Sequence, residues 1–495
     1  MTRQPSDRRR RTGRACGAAL LAFTLAAPVT ADTRLPDIGN PVDQVLSPQD
    51  EALIGRDMFA RARQRMDLNE DPQIAGYIDR LGNRLAGEIG GDPVNGYTFF
   101  VVQDARINAF AAPGGYIGIN SGLFLRARNE SQLAGVMAHE IAHVSQRHIA
   151  RAFAAGSRNQ YKTVAAIVAG LLLGGQVGQA AMLGGIASEA QRQINYTRSN
   201  EYEADRIGIR VLADAGFQPQ GMTGFFEILR QEAGASAEAV PEYLRTHPLS
   251  ANRIAEASAR AEQMGDSTAL RADSLEFHLM QARLEILTAR DPQSLYGRWS
   301  MERMPETEYA RTARRYGLAL LETRLGETGS AIERLQALRQ RHPDNLHVGL
   351  ALAGALAEAG RVIEALETWD HLAAIYPRRY PIAAEGGELL LRADRAADAI
   401  ELLTDYIRNG ERPDPGAWRR LAEAAEAAGQ TARSHEALGE YYARTDRFDR
   451  AIQQFRIALD AARPDSPEAK RLDSRLEQVR DEQRALMERN PLSGG

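Results

Sequence analysis

After an irregular stretch at 32–46 that holds Pro36 and Pro41, apolar residues fall into helical spacing. Leu53, Ile54 and Met58, then Ile74, Tyr77, Ile78, Leu81 and Leu85, mark amphipathic helices within 48–90. The period then shortens. Residues 97–103 and 116–120 are rich in β-branched and aromatic side chains and predict strands, joined through a turn at Pro113-Gly114-Gly115. A helix is expected over 130–153, and another opens at Ser199 and runs through Ile207, Ile209, Val211 and Leu212. Residues 163–187 carry Ala, Gly and Leu with almost no charge. Their apolar run from Val164 to Leu173 falls well short of the roughly 20 residues of a spanning helix. A helical hairpin is expected there, with peripheral membrane contact left open.

From about residue 266 the pattern is amphipathic helix throughout, and it repeats. Gly326 and Gly360 stand 34 apart, as do Ala331, Ala365 and Ala399. The same step relates Ile332, Leu366 and Ile400, then Leu335, Trp369 and Leu403, then Pro343 and Pro377. Small residues let paired helices approach and proline ends the second of them, which resembles the tetratricopeptide repeat. Residues 416–459 continue the pattern less regularly. Such arrays stack into a solenoid whose concave face binds protein.

The N-terminus reads as an address rather than as structure. Arg3, Arg8, Arg9, Arg10, Arg11 and Arg14 precede an apolar core from Gly17 to Ala27 and a small-residue site ending at Ala31, so a signal peptide cleaved after Ala31 is expected. The whole chain has a formal charge of −4; removing the +5 of residues 1–31 leaves −9. That balance argues against nucleic acid as a partner. The single cysteine, Cys16, lies within the address, so no disulfide framework and no cysteine metal cluster is available. A cysteine-free chain suits an oxidising compartment such as a periplasm, and any metal must be held by His, Asp or Glu.

The sequence Met137-Ala138-His139-Glu140-Ile141-Ala142-His143 supplies such a set. On a helix, His139 and His143 share one face and can meet a single Zn²⁺, one per chain, while Glu140 can deprotonate a water beside it. A further histidine at 149 would extend the motif, but Ile149 stands there. His148, rotated about 140° from His143 on a continuous helix, is expected not to be a ligand. The third ligand should be an acid on another helix. In Ser199-Asn200-Glu201-Tyr202-Glu203-Ala204-Asp205, Glu201 and Asp205 share a face, so Glu201 would bind metal and Asp205 would accept the outer N–H of a ligand histidine. Glu203 is expected to point to solvent. Spacing alone leaves Glu189, Glu203 and Asp205 as alternatives to Glu201.

Taken in order, Asn108-Ala109-Phe110-Ala111, Pro113-Gly114-Gly115, His139-Glu140-x-x-His143, Glu201-x-x-x-Asp205 and His247-Pro248 with Arg253 resemble the gluzincin family of HtpX and the CaaX prenyl proteases. Asn129-Glu130-Ser131-Gln132-Leu133-Ala134 and Glu203-Ala204-Asp205-Arg206-Ile207-Gly208-Ile209 add to the likeness. The resemblance implies that Glu201 is the third zinc ligand and that Asp205 supports a ligand histidine. It implies that Asn108, Ala109, Phe110 and Ala111 form an edge strand that pairs with substrate backbone. It implies that His247 either plugs the open metal position or stabilises the oxyanion, and that Arg253 holds the oxyanion or a nearby acid. It also implies a mobile region near the cleft at 163–187.

The expected fold is mainly α: a zincin-type α+β metalloprotease domain with a small β-sheet at 32–265, followed by a tetratricopeptide solenoid at 266–490. With the export signal and the repeats, the resemblance narrows to periplasmic metalloproteases of Gram-negative bacteria that act in outer-membrane protein quality control. Glu140 and His247 are then the catalytic candidates. Stalled or unfolded outer-membrane proteins are the implied clients, and the assembly machinery is the implied partner of the repeats. The competing reading is a chaperone or adaptor with a self-inhibited protease site. A membrane-embedded prenyl protease is disfavoured because the chain lacks several 20-residue apolar spans.

Overall fold

Side chains that satisfy free backbone N–H groups open several helices of the amino-terminal half. Ser47 and Asp50 form a reciprocal capping box on α1 (Pro48–Arg63), and Asp71 accepts from two backbone N–H groups of α2 (Pro72–Ala86). Asn129 caps α4 (Glu130–Ser145), which follows the short α3 (Ser121–Arg126). The structure is a computed structural model and describes residues 41–155, 187–235, 241–264 and 273–489, apart from 92 and 411. The expected signal peptide at 1–31, and 163–186 of the uncharged stretch, lie outside the described residues.

Between α2 and α3 stand three strands, β1 (Thr98–Val102), β2 (Ala109–Ala112) and β3 (Tyr116–Asn120), in the order β1-β3-β2. β1 runs parallel to β3, with Thr98 opposite Tyr116; β2 runs antiparallel, with Ala109 opposite Ile119. The hydrophobic pattern alone does not mark β2, whose four residues, Ala-Phe-Ala-Ala, carry little strand signal; the family resemblance implies an edge strand over 108–111, offset by one residue from the strand observed. Both faces of the sheet are covered. Phe99, Val101, Ile117 and Ile119 join the core that includes α2 and α4, while Val102, Phe110 and Ala112 pack with Ile54 and Met58 of α1. Burial on both faces explains why β1 reads as a continuous apolar run. The outer edge of β1 is capped by the 67–69 segment, through Asn69 N–H to Val101 O and Gln103 N–H to Asp67 O. Among the described residues, β2 pairs only with β3.

Helix α4 is buried over nearly its whole length. The helix expected over 130–153 breaks: α4 ends at Ser145, Arg147 takes a left-handed φ of 53°, and α5 (His148–Ala155) starts in a new direction. Arg147 is held in that turn by Asp43, by Glu51 and by the Leu46 carbonyl, contacts about 100 residues away that local pattern cannot predict. The next helix, α6 (Ala187–Asp214), begins well before Ser199, so Glu201 lies inside a helix rather than at its start. α7 (Gln220–Ala235), the short α8 (Glu242–Thr246) and α9 (Ala251–Gln263) complete this half. No described helix is long and apolar enough to cross a membrane.

Helices α10 (Leu275–Thr288) and α11 (Pro292–Met301) lead into paired helices. These are α12 (Glu308–Arg324) with α13 (Thr328–Arg341), α14 (Leu346–Glu358) with α15 (Val362–Ile375), α16 (Tyr380–Arg392) with α17 (Ala396–Asn409), and α18 (Gly416–Ala427) with α19 (Thr431–Arg444). α20 (Phe448–Ala461) and α21 (Pro467–Arg489) close the array. Ala331, Ala365 and Ala399 are fully buried at the helix contacts. The turns within the first four pairs carry Gly326, Gly360, Asp394 and Gly429, all at positive φ. Aspartate replaces glycine at 394 because a short polar side chain tolerates that conformation.

The array packs back on the protease half, and both share one hydrophobic core running from Ile74 to Leu389. At the junction Arg283 pairs with both oxygens of Asp71 at 2.8 and 2.7 Å. Fully buried Gln73 bonds Glu385 and His347, each at 2.7 Å. Burial pushes Glu385 up to about 7.

Close approach of α7 to α4 requires glycine at 135, where a Cβ would stand 2.8 Å from the Met222 backbone. Gly135→Ala is therefore expected to lower stability by about 1–3 kcal/mol in denaturant unfolding.

Candidate metal centre

Helix α4 presents His139 and His143 on one face, as their spacing requires, and α6 lies across it. Gly208 permits this crossing, since a Cβ there would meet the His139 backbone nitrogen at 3.1 Å. Glu201 thereby reaches both imidazoles: its oxygens lie 3.4 Å from His139 Nε2 and 3.4 Å from His143 Nε2, and the two Nε2 atoms are 3.0 Å apart. His247, just past α8, brings Nδ1 to 3.1 Å from Glu201 and 3.3 Å from His139 Nε2.

These four residues form the metal-competent group found among the described residues, with ligand atoms all within 4.8 Å of one another. Bonds near 2.0 Å to one tetrahedral ion imply ligand separations of roughly 3.3 Å. The separations observed here, at 3.0–3.4 Å, are of that size, with Glu201 facing His139 through one carboxylate oxygen and His143 and His247 through the other. The donor set, imidazole nitrogens with one carboxylate, therefore fits a metal ion.

The charge pattern follows from burial and neighbours. Although burial favours the neutral acid, His247, His139 and His143 hold Glu201 well below the usual carboxylate range. Burial pushes His143 down to about 3, with His139 and His247 adding to the effect. For His139 burial acts in the same direction, but Asp205 and Glu201 outweigh it and push the imidazole up to about 9. Asp205 Oδ1 sits 3.0 Å from His139 Nδ1.

Arg253 is nearly fully buried and binds both acids, Glu201 at 2.7 Å and Asp205 at 2.5 and 2.9 Å. It also donates to the Pro248 carbonyl at 3.0 Å, tying down the segment that carries His247. Glu140 is buried, makes no hydrogen bond through Oε1 among the described residues, and places that atom 3.5 Å from His247 Nε2. Asn108 lies just before β2, whose Ala109, Phe110 and Ala111 were singled out with it; Ala109 and Phe110 are buried.

Two residues depart from expectation and one was missed. Glu203 is not free in solvent but pairs with His148 at 3.1 Å and Arg151 at 2.5 Å. His148 stays outside the four-residue group, yet its Nδ1 approaches His143 Nδ1 to 2.7 Å because the chain turns at Arg147. Tyr243, without a motif to flag it, stacks on His247 with ring centroids 4.5 Å apart. Its backbone N–H donates to the Ile107 carbonyl, beside the start of β2.

A buried His/His/Glu cluster on crossed helices beside a small sheet, followed by a helical repeat array, defines a metallopeptidase joined to a protein-binding scaffold. The model of Peptidase family M48 matches residues 72–261, and a tetratricopeptide repeat model matches 323–384. The chain is 34% identical over 475 residues to the beta-barrel assembly-enhancing protease of Escherichia coli O157:H7, covering 93% of this chain and 95% of that one. It is 31% identical over 460 residues to the protein of that name in Yersinia pestis, covering 91% and 92%. The mitochondrial metalloendopeptidase OMA1 of Schizosaccharomyces pombe matches at 30% over 178 residues, 36% of this chain and half of that protein. The chain belongs to peptidase family M48 and is a metalloprotease of the kind represented by the beta-barrel assembly-enhancing proteases.

Removing the Arg253 guanidinium would leave two buried carboxylates without their shared cation. Arg253→Met is expected to lower stability by about 3–5 kcal/mol, read by thermal unfolding of the metal-free chain.

Proposed function

We propose that the chain is a periplasmic zinc endopeptidase that degrades misfolded or stalled outer-membrane proteins and assists their assembly. The reading rests chiefly on one observation: the convergence of His139, His143, Glu201 and His247, whose ligand atoms all lie within 4.8 Å of one another. His139, His143 and Glu201 are the ligands we assign to one Zn²⁺. Bound zinc supplies a Lewis acid for the scissile carbonyl and acidifies water. Glu140, a buried carboxylate with an uncommitted oxygen, takes the proton from the attacking water and delivers it to the leaving amine. Asp205 faces the His139 ring, and Arg253 binds both acids and keeps Asp205 anionic.

Substrate enters as an extended strand along β2. The edge offers backbone, while the side chains of Ala109 and Phe110 are turned into the core. An edge of that kind selects for an unfolded segment rather than for sequence. The relatives' name, beta-barrel assembly-enhancing protease, supports clients bound for the outer membrane, and the repeats are suited to recruiting client or assembly machinery. We assign 1–31 to an export signal, 32–265 to the protease and 266–490 to the repeats; peripheral membrane contact through 163–187 belongs to the same reading.

His247 favours a restrained enzyme. It occupies the fourth ligand position, and α8 before it already bonds Ile107 at the entrance to the β2 edge. Displacing this segment would open both the metal and the strand edge. A mainly chaperone or adaptor role is the second reading, and the same plugged position supports it.

Cleavage of an unfolded protein such as casein separates these readings. Glu140→Gln is expected to lower cleavage by about 10²–10⁴-fold with zinc retained, and His247→Ala to raise it above wild type. A His247→Ala chain no more active than an inert, zinc-loaded wild type would count against the protease. Full restoration of envelope integrity by Glu140→Gln in a deletion strain would make the chaperone role dominant.

A further inference from the structure

The two ligand imidazoles are supported differently. His139 turns Nε2 inward and Nδ1 toward Asp205, which Arg253 holds. His143 also turns Nε2 inward, but its Nδ1 meets another imidazole, that of His148, at 2.7 Å. His148 Nε2 then lies 3.1 Å from Glu203 Oε2, and Arg151 NH2 lies 2.5 Å from that same oxygen.

The protons along this chain are determined by its two ends. A metal-facing Nε2 must present a lone pair, so the proton of neutral His143 sits on Nδ1 and is donated outward. His148 Nδ1 must accept it, which puts the His148 proton on Nε2, where the Glu203 carboxylate accepts in turn. Arg151 balances the carboxylate. His148 itself is buried, at 4% exposure, whereas the Glu203 and Arg151 side chains are 34% and 32% exposed.

We propose that His148 and Glu203 are positioning residues that set the tautomer and ring orientation of His143, forming a histidine-to-carboxylate relay that parallels the direct support of His139 by Asp205. The turn at Arg147 builds it. On an unbroken helix His148 would face away from His143, and the left-handed Arg147, held by Asp43 and Glu51, swings it back. The Asp205 branch is sealed by Arg253, while the His148 branch ends at the surface, so the second ligand is the one whose support solvent can reach.

This inference rests on the metal-site reading above, so its test carries a control for that reading. Zn²⁺ affinity is measured by chelator competition on the full chain for wild type, Glu201→Gln, His148→Ala, His148→Asn and Glu203→Gln. His148→Ala is expected to weaken binding about 10–100-fold. His148→Asn is expected to recover most of that loss, because the amide oxygen can accept from His143 Nδ1. Visible spectra of the Co²⁺ form should change in the alanine variant and return toward wild type in the asparagine variant, a pattern that general loss of packing would not give. If His148→Ala does not fold, Glu203→Gln carries the test with a few-fold weakening. Wild-type affinity in His148→Ala, asparagine no better than alanine, or, where alanine does not fold, wild-type affinity in Glu203→Gln overturns the relay. Wild-type affinity in Glu201→Gln overturns the metal-site reading itself, and the relay with it.

Discussion

Glu201 is a carboxylate taken out of water to 3% exposure, and the centre is organised around the cost of that burial. An isolated buried carboxylate would take up a proton. This one is met instead by His139, His143, His247 and Arg253, which come from three separate segments of the chain. Those segments are α4, the loop after α8, and α9, so one charge gathers the elements that carry every proposed ligand. Arg253 extends the arrangement to Asp205, and Asp205 to the far side of His139.

The scaffold follows from the same demand. α4 can be buried over most of its length only because glycines at 135 and 208 let α7 and α6 lie against it. The repeat array does not hang free but shares the core of the protease half and locks to α2 through Arg283, Gln73, Glu385 and His347.

Parts of this were legible from residues alone. The pair at 139 and 143 is readable because helix geometry fixes a four-residue spacing, and Glu201 with Asp205 for the same reason. The repeats were readable because small buried residues recur at a constant step, even where Asp394 replaces glycine. Three features were not. Arg253 enters only through the family resemblance, as holding the oxyanion or a nearby acid; that it spans both Glu201 and Asp205, the latter 48 residues away, has no local pattern behind it. The turn at Arg147 is imposed by Asp43 and Glu51, so periodicity carried the helix to 153 and sent His148 the wrong way. Gln73 meets Glu385 across 312 residues, which only the folded chain reveals. Local spacing thus predicts which side chains share a face, while the partners that orient them depend on tertiary contact.

The account turns on whether four side chains meet at one metal, with His247 in the fourth place. X-ray absorption spectroscopy at the zinc edge of the purified chain tests this most directly. The account predicts three imidazole nitrogens and one carboxylate oxygen in wild type, with one imidazole lost in His247→Ala. An unchanged imidazole count in His247→Ala, or a wild-type chain that binds no zinc, would contradict it.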